Sequence, residues 1–108
     1  MIKLPIIISA TGDVLVFASI EKVNSYLEPI DVENNEYEAY DSEGKLLVID
    51  VIKEQNMSER IMVREGRSEV SSKTNLEQLL IKYLTQIGTP LTELKEAPLT
   101  KLVEIASR

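Results

Sequence analysis

The stretch KLLVIDVIKEQNMSERIMVR (residues 45–64) carries the strongest indication of the fold of this chain. Lys45 to Ile52 is a nearly continuous run of leucine, valine and isoleucine, which is typical of a buried strand, and we expect it to be the central strand of a sheet. After a polar loop, Glu59 to Arg64 alternates, with Ile61 and Val63 expected to point inward. The outward residues of this strand are Arg60, Met62 and Arg64. The two strands predict an antiparallel pair.

The segment TNLEQLLIKYLTQI (residues 74–87) changes the apolar period from that of a strand to that of a helix. Thr74 and Glu77 have the spacing of a capping box, so we expect the helix to begin there and to end at Gly88. Its apolar residues fall on one face, which predicts packing against the sheet. They are Leu76, Leu79, Leu80, Tyr83, Leu84 and Ile87.

Two shorter helical segments are expected after this helix. Thr89-Pro90 begins a short helical turn, and Pro98 can occupy the first turn of a terminal helix. The residues of the terminal helix that are expected to point inward are Leu99, Leu102, Val103 and Ala106. The serine-rich stretch from Arg67 to Lys73 is predicted to be a loop.

The N-terminal residues predict a β-hairpin. Lys3 to Ser9 is an apolar, β-branched run with a proline near its start, which favours a strand over a helix. Thr11-Gly12-Asp13 provides the residues that a tight reversal needs, and Val14 to Phe17 forms the returning strand.

A helix and a further strand are expected after the hairpin. Ser19 can cap the helix, and Glu28-Pro29 ends it, because the residue before a proline avoids the α region. The inward face of this helix is predicted to contain Ile20, Val23, Tyr26 and Leu27. From Glu36 to Tyr40, tyrosine and alanine alternate with glutamate, which indicates a half-buried strand.

Together these elements predict one α+β domain over residues 1–108. We expect a mainly antiparallel meander of about five strands, with one helix after the second strand and two to three C-terminal helices packed on the sheet. A chain of 108 residues is long enough to bury such a core without disulfides.

The residue inventory excludes several classes of enzyme. The chain has neither cysteine nor histidine, so it lacks thiol nucleophiles, thiolate metal ligands and the usual neutral-pH base. Its four glycines are too far apart for a phosphate-binding loop. We expect no catalytic residues, no cofactor and no bound metal, although an unrecognised carboxylate-dependent hydrolase remains a third alternative.

One short segment faintly resembles a calcium-binding loop. Residues 31–36 place oxygen-bearing side chains at alternate positions, as a hard cation requires. However, Glu36 stands where the loop needs glycine, and Ser42 stands where it needs a bidentate glutamate. We therefore expect residues 31–36 to form a solvated turn.

Negative charge is concentrated in one segment. No basic residue lies between Lys22 and Lys45, whereas that segment contains seven acids, against a net charge of −6 for the whole chain. One interpretation is a solubilising face, and the other is a surface that contacts a basic partner. The seven acids are Glu28, Asp31, Glu33, Glu36, Glu38, Asp41 and Glu43.

The second interpretation predicts a set of partner-binding residues that combines acids with tyrosines, a mixture that suits a protein interface. They are Asp31, Glu33, Glu36, Tyr37, Glu38, Tyr40, Asp41 and Glu43. Nucleic acid is disfavoured as a partner, because phosphates attract the opposite charge. The cluster of Arg60, Arg64 and Arg67 is expected to form surface ion pairs with its neighbours Glu59, Glu65 and Glu69.

The region from Ser19 to Leu47, SIEKVNSYLEPIDVENNEYEAYDSEGKLL, resembles small bacterial immunity proteins of contact-dependent growth inhibition and polymorphic toxin systems. The residues that carry the resemblance are Tyr26-Leu27-Glu28-Pro29-Ile30-Asp31-Val32 and Glu36-Tyr37-Glu38-Ala39-Tyr40-Asp41-Ser42-Glu43-Gly44. The resemblance implies a non-enzymatic inhibitor that binds one cognate toxin domain, often a basic nuclease. It transfers no individual contact residue, because immunity proteins differ in fold.

The absence of cysteine and the short apolar run at the N-terminus, interrupted by Pro5, predict a cytoplasmic protein that does not enter a membrane. We expect it to be a monomer or a weak dimer when free. The alternative to an immunity protein is a small structural or regulatory subunit, which could act as a homodimer through a strand edge or through its terminal helices.

Overall fold

The computed structural model describes residues 2–10, 13–56, 58–66 and 73–107. It confirms the α+β fold: five antiparallel strands form one sheet, a helix follows the second strand, and helices follow the sheet. The strands are β1 (Ile6–Ala10), β2 (Asp13–Phe17), β3 (Tyr37–Tyr40), β4 (Leu46–Lys53) and β5 (Glu59–Glu65). The helices are α1 (Ile20–Tyr26), α2 (Pro29–Glu33), α3 (Lys73–Gln86), α4 (Leu91–Leu94) and α5 (Leu99–Ala106).

The strand order differs from the expected meander. The sheet runs β2-β1-β3-β4-β5, so β1 lies between the two strands that follow it in the chain. α1 and α2 connect β2 to β3, which lets β3 pair with the free side of β1. The prediction that the run from Lys45 to Ile52 is the central strand is therefore wrong, since β3 occupies the middle and β4 is next to it.

The sheet contributes buried side chains from both of its faces. Alternation along β1 places Ile7 on one face and its neighbours Ile6 and Ile8 on the other. The first face packs against the C-terminal helices in what we call the α3 cluster: Ile7, Val14, Tyr40, Leu76, Leu80, Leu84, Leu94, Leu99, Leu102 and Val103. The second face packs against α1 and α2 in the α1 cluster: Ile6, Ile8, Phe17, Val23, Leu27, Ala39, Leu47, Ile61 and Val63.

The hairpin and the first helix form largely as their sequences predict. Ala10 pairs with Asp13 across the reversal, while Thr11 and Gly12 of the expected turn lie outside the described residues. The Ser19 side chain accepts a hydrogen bond from the backbone amide of Lys22 at 3.2 Å, as an N-cap does. The helix ends before Glu28-Pro29, as expected.

Pro29 also begins a second helix, which was not expected from the sequence. α2 has proline at its first position, where the missing N–H is not needed and the fixed φ angle suits a helix. The backbone amides of Asp31 and Val32 donate to the carbonyl of Glu28. Asp31 to Glu33 is therefore helical rather than part of a solvated turn, so that prediction is wrong for the first half of residues 31–36.

The long C-terminal helix differs from its prediction at its start and agrees with it at its end. α3 begins at Lys73, so Thr74 lies inside the first turn and the predicted capping box is wrong. At the other end, Gly88 has a φ angle of 98°, and the amide of Thr89 donates to the carbonyl of Leu84 at 2.9 Å. This Schellman arrangement confirms Gly88 as the stop. Residues 67–72 of the predicted serine-rich loop lie outside the described residues.

The apolar stripe of α3 is confirmed at its centre but not at its last position. Leu76, Leu80 and Leu84 are fully buried, whereas Ile87 is 61% exposed because it follows the end of the helix. The two later helices follow Pro90 and Pro98, as expected, but Pro98 is the N-cap residue of α5 rather than part of its first turn. Across the described residues, none of the helices has the length and apolar character that crossing a membrane requires.

Candidate functional site

The acidic segment is not one continuous surface, because the fold divides it among three places: the junction of α2 and β3, the strand β3 itself and the turn after that strand. Asp31 and Glu33 lie in α2, and Glu36 lies in the loop before β3. Glu38 belongs to the strand itself, and Glu43 lies in the turn at the far end of that strand. The largest group of predicted contact residues is therefore at the junction of α2 and β3.

The junction is held by a hydrogen-bonded turn. Asn35 adopts a φ angle of 56°, a left-handed conformation that asparagine tolerates better than most residues. This conformation lets the amide of Glu36 donate to the backbone carbonyl of Asp31 at 3.1 Å. The hydroxyl of Tyr37 then donates to Oδ2 of Asp31 at 3.3 Å. Asp31, Glu36 and Tyr37 are thus brought together although α2 and β3 are separate elements.

The two carboxyl groups at the junction influence each other. A hydrogen bond to the Asp31 side chain, followed by the charge of Asp31, raises the pKa of the Glu36 carboxyl above its usual value. Burial raises the pKa of the Tyr37 hydroxyl, with further contributions from Asp31, Glu36 and Tyr26. The site therefore has a local excess of negative charge that favours protonated forms of its own groups.

Tyr26 is a surface residue, although its spacing in the sequence predicted that it would lie on the inward face of α1. Val23 and Leu27 of that face are buried, but Tyr26 is 59% exposed. Its ring lies against Phe17 with the centroids 5.4 Å apart and the planes at 58°. Because Tyr26 is the last residue of a short helix, its ring lies at the rim of the core. The end of the helix at Glu28-Pro29 was the sequence signal that could have indicated this.

We call Tyr26, Asp31, Glu33, Glu36 and Tyr37 the acidic–aromatic patch. All but Asp31 and Tyr37 are exposed, and those two are half-buried. The patch combines three carboxyl groups with two phenol rings at the end of α1, along α2 and at the start of β3. Such a combination can form charge-assisted hydrogen bonds and cation–π contacts with a lysine or arginine.

The prediction that Tyr40 contacts a partner is wrong, because its side chain belongs to the core. Its side chain is 3% exposed and lies in the α3 cluster. Its hydroxyl donates to Oε1 of Glu38, and burial together with this carboxylate raises the pKa of the Tyr40 hydroxyl. Glu38 is exposed but shares the face of Tyr40, two residues along the strand, which is opposite to the face of Tyr37. Glu38 is therefore not part of the acidic–aromatic patch.

The prediction that Asp41 contacts a partner is also wrong, since its carboxylate is buried and has a structural role. It is 1% exposed and accepts hydrogen bonds from the backbone amides of Glu43 at 2.9 Å, Lys45 at 3.0 Å and Lys3 at 3.4 Å. These bonds join the N-terminal segment to the turn between β3 and β4. Glu43 is exposed in that turn, at the end of β3 that lies away from the patch.

The cations of the described chain form their ion pairs elsewhere. Arg60 pairs with Glu54, and Arg64 pairs with Asp50 at 2.6 Å, so the predicted pairing of these arginines with Glu59 and Glu65 is wrong. Neighbours along a strand point to opposite faces, whereas Asp50 of β4 lies opposite Met62 and therefore shares the face of the arginines, and Glu54 follows directly after β4. Arg67 and Glu69 lie outside the described residues. Among the residues that the structure describes, no salt bridge involves an acid between Glu28 and Glu43.

Comparison with known proteins gave no match to a protein family, to a curated protein or to a solved structure. Within the described ranges, the acidic and other ligating side chains form no group of three or more that could hold a metal ion. The function of the acidic–aromatic patch is therefore inferred from its charge, its exposure and its hydrogen bonds.

Proposed function

We propose that this protein is a non-enzymatic immunity protein of a bacterial contact-dependent growth inhibition or polymorphic toxin system. In this proposal it acts in the cytoplasm, where it binds and neutralises a cognate toxin domain that is basic and acts as a nuclease. The observation that carries the proposal is the carboxyl pair of Asp31 and Glu36, held together without a salt bridge to any described residue. The likeness of residues 19–47 to immunity proteins is the second support.

The carboxyl pair favours a cationic partner for an energetic reason. The pKa of Glu36 is raised by its hydrogen bond with the Asp31 side chain and then by the charge of Asp31, since two carboxylates at one site disfavour each other's ionisation. A lysine or arginine placed between them would remove this repulsion and form charge-assisted hydrogen bonds. A nuclease must attract phosphates and so presents such cations at its substrate-binding surface, where an acidic inhibitor would be steered to it.

The aromatic residues of the patch add contact area and hydrogen-bonding groups to its negative charge. Tyrosine is enriched where protein interfaces lose water, because its ring provides contact area and its hydroxyl provides a hydrogen bond. Tyr26 presents an exposed ring, and Tyr37 presents a hydroxyl already oriented by Asp31. A standard interface takes about 800 Å² from each partner, roughly a ninth of the 7135 Å² surface of this chain. The patch and its adjoining loops can supply that area.

The proposal implies a one-to-one complex with the toxin domain and no binding to nucleic acid or membranes. Binding of nucleic acid is not expected at a surface of this charge, and neither is binding to an anionic membrane. The free protein is expected to be a monomer or a weak dimer, since the patch is not self-complementary in charge.

Charge reversal within the patch provides the direct test. The neighbouring open reading frame is expressed with and without this protein, and cell growth is measured. Wild type should protect the cells, whereas the double variant Glu33→Lys, Glu36→Lys should associate more slowly with the purified toxin and protect less. The matched control is Glu93→Lys, Glu96→Lys, which makes the same change in net charge at exposed positions near α4.

The outcomes distinguish an immunity protein from a structural or regulatory subunit. Equal protection by wild type and by the patch variant would reject the patch as the contact surface. A neighbouring product that is not toxic would instead favour the structural or regulatory subunit. Association rates measured at increasing salt should fall for wild type, because screening weakens attraction between exposed charges.

A further inference from the structure

The sheet is split between β3 and β4. The two strands pair only over residues 39–40 and 46–47, next to the turn that joins them. β4 continues beyond this point to Lys53, and β3 begins at Tyr37, but no further pair joins the two strands in the described residues. The strands therefore start together at the turn and then diverge.

Backbone groups on both sides of this split face each other without pairing. The amide of Asp41 donates to the carbonyl of Lys45 at 3.0 Å, and hydrogen-bonded positions recur at every second residue along an antiparallel ladder. Tyr37 and Ile49 are at such positions, so their amide and carbonyl groups point into the split. Among the described residues, neither has a backbone partner on that side.

A cleft of about 240 Å³ lies at the split. Sites for small molecules usually have volumes of about 300 to 1,000 Å³, so this cleft suits one side chain better than a whole metabolite. Glu38 contributes a carboxylate to its lining. The walls are aliphatic, and they are formed by Val32, Ala39, Leu47, Val48 and Ile49.

The cleft adjoins the acidic–aromatic patch and has a negative charge of its own. Tyr37 lines the cleft, and its hydroxyl donates to Asp31 of the patch. Glu38 is exposed and has no salt bridge with a described residue. Its Oε1 accepts from the hydroxyl of Tyr40, which leaves Oε2 for another donor.

These features together select an arginine side chain as the occupant. Its aliphatic stem suits the apolar walls. Its planar guanidinium has five donors, which can reach the carboxylate of Glu38 and the carbonyls of Tyr37 and Ile49. A lysine ammonium is more strongly hydrated and holds its donors around one point, so it matches acceptors on two separate strands less well.

The described arginines of this chain do not supply the occupant. Arg60 pairs with Glu54, and Arg64 pairs with Asp50. Both arginines belong to β5, which lies on the other side of β4 from the split. The occupant is therefore sought in a partner protein.

We propose that the cleft between β3 and β4 anchors one arginine side chain of the toxin domain. This inference rests on the proposed function, since it names the residue of the basic partner that is held beside the acidic–aromatic patch. The stem of the arginine lies between the two strands, and its guanidinium lies against Glu38.

The test adds small probes to the protein and follows its backbone amides by NMR. The probes are N-acetyl-arginine amide, N-acetyl-lysine amide with the same charge, and N-acetyl-citrulline amide with nearly the same shape but no charge. We expect saturable shifts at Tyr37, Val48 and Ile49 with the arginine probe, and an affinity about fivefold lower for the other two probes. Equal affinities for the arginine and lysine probes would show only a general attraction for cations and would overturn the proposal.

Two variants disable the cleft in different ways. Val48→Trp fills it, and Glu38→Gln removes its carboxylate, so each should bind the arginine probe about fivefold more weakly. The matched controls are Ile52→Trp, on the same face of β4 but outside the lining, and Glu43→Gln, in the turn after β3. Both controls should bind as wild type does. If the NMR spectra show that Val48→Trp and Glu38→Gln are folded, unchanged binding by the two would overturn the proposal.

The chain's own Arg67 lies outside the described residues and is tested separately. Arg67→Gln should bind the arginine probe as wild type does. Tighter binding by this variant would show that Arg67 competes for the cleft, and it would overturn the proposal.

Failure of the cleft and failure of the proposed function give different results. We expect Val48→Trp to bind the purified toxin domain about tenfold more weakly than wild type. Full protection of cells by wild type and by both cleft variants, without specific probe shifts, would overturn the cleft alone. Specific probe shifts in a protein that gives no protection would overturn the proposed function, and with it the toxin as the source of the arginine.

Discussion

A Cβ atom on Gly44 would lie only 2.6 Å from the Cα atom of Lys73, the first residue of α3. The turn between β3 and β4 thus contacts the start of the long helix through backbone atoms. Gly44 also has a φ angle of 87°, which side chains rarely allow. The absence of a side chain at this one position therefore sets how closely α3 approaches the sheet.

Gly44→Ala should destabilise the protein more than Gly88→Ala. Both substitutions place alanine at positive φ, at a cost of about 1 to 2 kcal/mol each. Nothing lies within 4 Å of a Cβ on Gly88, whereas Gly44→Ala adds the clash with Lys73, for a total of about 2 to 5 kcal/mol. Urea denaturation of both variants measures the difference. Equal midpoints would show that the turn can move away from α3 without cost.

Leu80→Ala should lower the free energy of unfolding by about 2 to 5 kcal/mol, because it leaves a cavity at a fully buried position of the α3 cluster. Ile87→Ala is the matched control, since it removes a side chain of the same size from a mostly exposed position just past the end of α3. Its effect should be within about 0.5 kcal/mol. Denaturation midpoints that change equally for the two variants would place α3 outside the core.

Asp41→Ala should lower the free energy of unfolding by at least about 2 kcal/mol, because it removes the acceptor of three backbone amides at a buried site. Glu43→Ala, in the same turn but exposed, should change stability by no more than about 0.5 kcal/mol. Thermal and urea denaturation compare the pair. Hydrogen exchange should also speed up at Glu43 and Lys45 in the first variant, and unchanged exchange there would contradict the assigned bonds.

Glu36→Gln should stabilise the protein at pH 7 and have little effect at pH 3. The pKa of Glu36 is higher in the folded than in the unfolded chain, so the folded state binds the proton more tightly. The associated stability is present below the unfolded pKa and is lost as the pH rises through the raised folded pKa. Removing the charge at neutral pH removes the repulsion from Asp31. Denaturation midpoints across this pH range test the sign, and Glu33→Gln, in the same segment, is the control for a simple change in net charge.

The sequence predicted most secondary elements because their signals are local. The alternation in β5 and the prolines before α4 and α5 act within a few residues. Errors occurred where a local signal had two outcomes: Pro29 both ends α1 and begins α2, and Tyr26 has helical spacing but lies at the last position of its helix. At the start of α3, Thr74 has the residue type and the spacing to Glu77 of an N-cap, but it lies one residue inside the helix.

For the candidate site, the sequence located the acidic segment and named most of the patch. It could not distinguish Tyr37 from Tyr40, or Glu43 from Asp41, because each pair has similar chemistry in the same segment. Only the structure shows that Tyr40 and Asp41 are buried, whereas Tyr37 is half-buried and Glu43 is exposed. Tyr40 lies under the C-terminal helices and Asp41 accepts amides from the N-terminal segment, and both partners are distant in the chain.

The α+β class, the existence of the five strands and the concentration of charge between Lys22 and Lys45 were all readable from the amino-acid order, since each follows from composition and period over short windows. The position of β1 between β2 and β3 and the division of the acids into three places became known only once the chain was folded. Strand order depends on which edge is free when each strand pairs, and the exposure of a side chain depends on the helix that packs over it. Both are long-range contacts that no short window of sequence contains.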